Sequence, residues 1–138
     1  MAALVKVLPE WKRIAGVQYT VPTKVADAVE TDLSTPDTSI TFDIKGVECV
    51  ACWMKFANYT EVTVKLQQSV DNGTNYVDIT NATTSTTNTI ISAHRTGPID
   101  ATDKAGLLRG NLLRLSIAGT LSGGADTLEV WLYAERLT

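Results

Sequence analysis

The chain has 138 residues, of which 44% are hydrophobic and 20% charged, and its formal net charge is −3. That length suits one domain whose core needs neither a metal nor a disulfide, and the composition excludes a globally disordered chain. No block of clustered Lys and Arg is present to neutralise phosphates, so no nucleic-acid partner is expected; no run approaches the ~18 apolar residues of a membrane span, so no membrane partner is expected either.

Threonine is the compositional outlier, at 20 residues. It is β-branched and half polar, which suits the solvent face of a sheet. The first stretch, "MAALVKVLPEWKRIAG", is broken by Lys6, Pro9 and Glu10 before it can form a secretory apolar region, so synthesis in a cytoplasm is expected. Its apolar residues Leu4, Val7 and Trp11 are candidate interface residues. They either dock on the domain's own core or form an arm that lies on a neighbour. Residues 1–38 show no sustained period and are assigned as an N-terminal arm or extended segment, with a β-sandwich domain over 39–138.

From "SITFDIKG" onward the period is two. Ile40, Phe42 and Ile44 share one face, the pattern of a half-buried strand. "GVECVACWMKFAN" is a longer apolar run, expected to be a central strand covered on both faces. "EVTVKLQQS" places Val62, Val64 and Leu66 inward, and "NYVDIT" answers it with Val77 and Ile79 in one phase. Between them, Asn72-Gly73 predicts a hairpin turn at Asp71–Thr74, because both residues tolerate positive φ. Residues 81–106 form a weakly patterned stretch in which Ile90, Ile91 and Ala93 make a short strand. "NLLRLSIAG" then puts Leu113, Leu115 and Ile117 inward, and "TLEVWLYAERL" does the same with Leu128, Val130, Leu132 and Ala134. The opposite face of this last strand carries Trp131 and Tyr133 between Glu129 and Glu135. Water alone would not favour such a face, which makes Trp131 and Tyr133 the second group of candidate interface residues. Short strands separated by turns, with no helical period, predict an all-β antiparallel sandwich, jelly-roll-like or immunoglobulin-like.

No catalytic constellation emerges. Cys49 and Cys52 lie three apart on a strand and so point to opposite faces, which excludes a bond between them and predicts two buried free thiols. One such pair plus His94, the only histidine, leaves a structural zinc short of ligands. Asp71, Asp78, Asp100, Asp103 and Asp126 stand mostly at turns, where Asp is favoured for local hydrogen bonding, and neither "DNGTN" nor "DATD" has full calcium-loop spacing. No phosphate-binding glycine motif occurs. No cofactor, metal or catalytic residue is therefore expected, and the chain is not expected to be an enzyme.

The run from Val62 to Leu137 ("VTVKLQQSVDNGTNYVDI", a polar crossover, "GNLLRLSIAGT", a glycine turn, "LEVWLYAERL") resembles β-sandwich structural proteins of tailed-bacteriophage virions, most closely the small capsid decoration, or cement, proteins. The resemblance implies attachment to the major capsid protein on the outer capsid surface of the virion, commonly as a homotrimer, without catalysis, and it transfers no site residues. A β-sandwich binding module of a phage fibre or tail that recognises carbohydrate or a host surface is the alternative, with Trp131 and Tyr133 as the start of an aromatic platform for a sugar.

Overall fold

The computed structural model describes residues 5–84, 89–95 and 105–137. Its elements are all strands: β1 (Val5–Lys6), β2 (Trp11–Ile14), β3 (Val17–Thr20), β4 (Thr23–Val29), β5 (Leu33–Asp37), β6 (Thr41–Asp43), β7 (Val47–Ala57), β8 (Glu61–Ser69), β9 (Val77–Thr84), β10 (Thr89–His94), β11 (Ala105–Leu107), β12 (Leu112–Thr120) and β13 (Thr127–Leu137). They form two sheets. The larger runs β1-β4-β13-β7-β10-β11, with β3 also pairing β13 and β2 pairing β3; the smaller runs β5-β12-β8-β9, with β6 also pairing β12. All pairs are antiparallel except β10–β11, which is parallel. The chain is thus an all-β sandwich of two packed sheets.

Alternation builds the core. Leu128, Val130, Leu132 and Ala134 of β13, with Val50, Cys52 and Met54 of β7, meet Leu113, Leu115 and Ile117 of β12 and Val62, Val64 and Leu66 of β8. Each is at most about 1% exposed. Filling the gap between sheets with these residues is the main stabilising term, worth roughly 1.5–3 kcal/mol for each large aliphatic side chain removed from water.

The division at residue 38 has no counterpart in the sheets. β4 lies between β1 and β13, and Val25, Ala26 and Ala28 are fully buried. β3 and β4 run along one edge of β13, at Glu135–Leu137 and Thr127–Leu132. They are interrupted at Val21-Pro22, where proline offers no N–H to the ladder. Pro9 separates β1 from β2 in the same way. Trp11 stacks on Phe42 with ring centroids 5.6 Å apart, and the Arg136 guanidinium lies over the Trp11 ring, 4.2 Å from its centroid. The head from Trp11 onward therefore docks on its own domain.

The hairpin stands where Asn72-Gly73 predicts it. Ser69 ends β8, Val77 begins β9, and Asn72 and Gly73 hold φ of 59° and 93°. The strands pair with a register shift between Leu66 and Gln67, a bulge that leaves Ile79 packed on the core and turns Val77 outward, 63% exposed. The shared phase expected of these two residues is broken by that extra residue. The connection is held by Asp71, whose carboxylate accepts from the Asn75 backbone N–H (2.9 Å), the Asn75 side chain (2.8 Å) and the Ser69 hydroxyl (2.7 Å). These donors hold the Asp71 carboxyl down at about 2. A depressed carboxylate contributes stability above its ordinary value of 3.8 and loses it as pH falls through about 2. An NMR titration of the Asp71 carboxyl should give that low midpoint, and Asp71→Asn should return the acid limb of the melting curve toward that of the other carboxylates. A midpoint near 3.8 in the native protein would contradict the hydrogen-bond geometry.

β7 corrects two expectations. It is central, but it is not covered on both faces: Val50, Cys52 and Met54 face the core, whereas Trp53 faces outward and is 40% exposed. The thiols also differ. Both are free; Cys52 is buried, but Cys49 lies on the outer face, half-buried. Burial pushes the Cys52 thiol up to about 12. A raised acid keeps its stabilising contribution below its ordinary value of 9.0 and loses it as pH climbs toward 12. Native protein at pH 8 should therefore show slow labelling at Cys49 and none at Cys52 until unfolding. Melting temperature above about pH 9 should fall more steeply for wild type than for Cys52→Ala. Prompt native labelling of Cys52 would contradict its placement.

Candidate functional site

The outer face of the large sheet carries an aromatic patch. β7 and β13 pair so that Trp53 lies directly opposite Trp131, and β10 brings Ile90 opposite Trp53 on the other side. Directly paired side chains on one sheet face stand about 4.5–5.5 Å apart at Cβ, so these residues form one row across three strands. Ala51 and Tyr133 form the next row, and Pro22 closes the side. Together they line a shallow depression of about 200 Å³. Ile90 is 59% exposed. Large apolar side chains standing together on the rigid centre of a sheet are uncommon without a partner.

The polar handles of the patch are engaged within the chain. Trp131 Nε1 donates to Glu129 Oε1 at 3.0 Å, and the Tyr133 hydroxyl donates to Glu135 Oε2 at 2.5 Å. The bond to Glu135, followed by desolvation, pushes the Tyr133 phenol up to about 12. This explains why two glutamates flank two aromatics along β13: each carboxylate satisfies the ring group beside it and fixes the ring against the sheet. Lys55 Nζ lies 5.4 Å from the centroid of the Trp53 ring and sits opposite Glu129 across the strand pair. The rim is thus charged and the centre apolar, the plan of a protein-docking patch.

The candidate interface residues divide. Trp131 and Tyr133 come together here. Trp11 is spent on the core beside Phe42. Val7, 51% exposed, lines a separate groove with Leu8, Ser39 and Ile40. Leu4 lies outside the described residues. Trp53 and Ile90 complete the patch and were not among the candidates. The signal for Trp53 was its phase, odd when Val50, Cys52 and Met54 face in; the unbroken apolar run hid it. Of two adjacent isoleucines in a strand, one must face out, and that one is Ile90.

Other residues weighed for chemistry have structural roles. Cys49 sits in register between His94 and Glu135, but burial, then the Glu135 charge, raises its thiol, the wrong direction for a nucleophile. Among the described residues, no three of His, Cys, Asp and Glu gather closely enough to hold a metal. Asp126 is buried and accepts from the Ser122 hydroxyl and N–H. Asp78 pairs with Lys65 at 3.5 Å. Asp100 and Asp103 lie outside the described residues. Compared with protein-family models, with curated proteins and with solved structures, the chain shows no significant match to any.

Proposed function

We propose that this chain is a non-enzymatic structural protein of a bacteriophage virion that docks through its outer aromatic face onto the major capsid protein and stabilises the assembled shell, with a homotrimer as the attaching unit. The observation that carries this reading is the Trp53–Trp131 pair on the outer face at the centre of the large sheet, Trp53 exposed and Trp131 half-buried, with Ile90 and Tyr133 beside it. Tryptophan and tyrosine are the residues that concentrate binding energy at protein interfaces, and strands hold them ready without loss of conformational freedom. A protein that binds only the assembled shell stabilises it by mass action, and modest energies per copy add over many symmetric copies.

The exposed aromatics also favour a second reading, a carbohydrate platform. Sugar recognition combines ring stacking with hydrogen bonds to hydroxyls, and here Trp131 Nε1 and the Tyr133 hydroxyl are already bonded to Glu129 and Glu135. Protein docking fits this apolar centre better. The test is to mix the purified chain with bare capsids built from the major capsid protein encoded in the same genome. Saturable co-sedimentation, a raised capsid disruption temperature and a light-scattering mass of three times the 14.9 kDa chain are expected. No capsid binding, together with retention on immobilised glycans, would replace this reading by the second.

A further inference from the structure

We propose a second binding site that is distinct from the aromatic face: a cationic cleft that takes an oxyanion, a carboxylate or a phosphate. The turn after β6, the connection from β8 to β9, the end of β10 and the segment before β12 meet at one end of the sandwich. There Lys45, Arg95 and Arg109, with Val70, Gly110 and Asn111, line a cleft of about 300 Å³. The chain is acidic overall, yet among the described residues no carboxylate lines this wall. The ion pairs found among the described residues are Lys6–Asp37, Lys24–Asp27 and Lys65–Asp78, and none involves the cleft cations.

The cations are held in place by neutral groups. Arg95 Nε donates to the Val47 carbonyl at 2.7 Å and Nη2 to the Ile44 carbonyl at 2.8 Å. Arg109 Nη1 donates to the Arg95 carbonyl at 2.7 Å, which ties the two arginines together. Carbonyl dipoles orient a guanidinium but do not cancel its charge. Neighbouring cations repel, and an anion between them would relieve that repulsion. The wall behind them is rigid. Gln68 Oε1 accepts from the Arg109 and Gly110 N–H groups at 2.6 and 2.7 Å, and a Cβ on residue 110 would stand 2.5 Å from the Ser69 carbonyl oxygen. Asn111, on the same wall, is fixed by its Nδ2, which donates to Asn72 Oδ1 at 3.0 Å. The Nε–Nη2 edge of Arg95 is spent on carbonyls, so Arg95 contributes charge, while Lys45 and Arg109 would supply the donors to a carboxylate or phosphate. The space suits one such group with its waters.

The source of the oxyanion is either free phosphate or an acidic side chain of a partner protein, and the test separates them. The full-length chain, labelled with nitrogen-15, is titrated at low salt with inorganic phosphate and, separately, with tetraglutamate. Localised shifts of the Gly46, Gly110 and Asn111 amides are expected, with affinity falling as salt rises. Lys45→Gln and Arg109→Gln should each weaken binding about fivefold, the equivalent of one partly exposed charge contact, while amide shifts elsewhere stay native. Arg95 is kept, because its loss would orphan carbonyls. Phosphate binding without peptide binding assigns the site to the free ion; tighter peptide binding assigns it to a protein carboxylate. Shifts from neither probe, or shifts unchanged in a Lys45→Glu, Arg109→Gln double variant, would overturn the proposal.

Discussion

Replacing Gln68 by Leu is expected to lower the melting temperature by about 10–15 °C. Gln68 is only 8% exposed and lies in the inward phase set by Val62, Val64 and Leu66. Its Nε2 donates to the Leu107 carbonyl at 3.0 Å, and its Oε1 accepts from two backbone N–H groups, Arg109 and Gly110. One side chain therefore satisfies the backbone that links β11 to β12. Leucine fits the volume and abandons all of these groups. An unpaired buried backbone group costs roughly 1–3 kcal/mol, and partial rearrangement leaves a total of about 3–5 kcal/mol. Gln67 is the control. It faces outward, bonded to Asp78 and Arg114, and its replacement by Leu should cost about 1 kcal/mol or less. The comparison needs only thermal melts followed by circular dichroism. A Gln68→Leu variant melting within about 2 °C of wild type would show that this backbone finds other partners.

The largest effect on binding is expected from Trp53→Ala combined with Trp131→Ala. Trp53 and Trp131 are paired directly across β7 and β13 at the centre of the patch. Central aromatics removed from an interface cost about 2 kcal/mol or more each, and because the two residues are cross-strand neighbours their effects do not simply add. A loss of capsid affinity of about 100-fold or more is the expected outcome. The fold should survive, since both side chains lie outside the core; a loss of at most about 2 kcal/mol is expected from the half-buried Trp131 surface. The matching control is Leu128→Ala on the same strand, fully buried and away from the depression. It should cost about 3 kcal/mol in stability, and below its melting temperature it should still bind. Residues on opposite faces of β13 thus separate the packing of the strand from its proposed docking.

Legibility in the sequence followed burial. Where one face of a strand is packed and the other wet, a period of two appears, and β8, β12 and β13 could be read residue by residue. β4 escaped because it packs through Ala26 and Ala28, small residues that carry little pattern, and because Pro22 and Pro9 cut the neighbouring strands into short lengths. β9 was read one phase out beyond its bulge, since an inserted residue leaves no mark in the sequence. The aromatic half of the site was visible as Trp131 and Tyr133, whose phase along β13 is unambiguous. Its other half needed β7 and β10 to be placed beside β13, and strand order is not written in local periodicity. The roles of Gln68 and Arg95 depend on backbone groups distant in sequence, so no spacing could announce them, although a glutamine at an inward position was a signal in itself.

Whether the outer aromatic face is the proposed docking surface can be measured directly by hydroxyl-radical footprinting of the chain, free and mixed with capsids, with oxidation read at each tryptophan by mass spectrometry. Trp11, packed against Phe42, serves as the internal reference. Oxidation of Trp53 and Trp131 is expected to fall on docking, by at least about fivefold at the more exposed Trp53, as their outer surfaces leave water, while Trp11 changes little. Bound protein in which Trp53 and Trp131 oxidise as fast as in the free chain would contradict the assignment and move the contact to another surface.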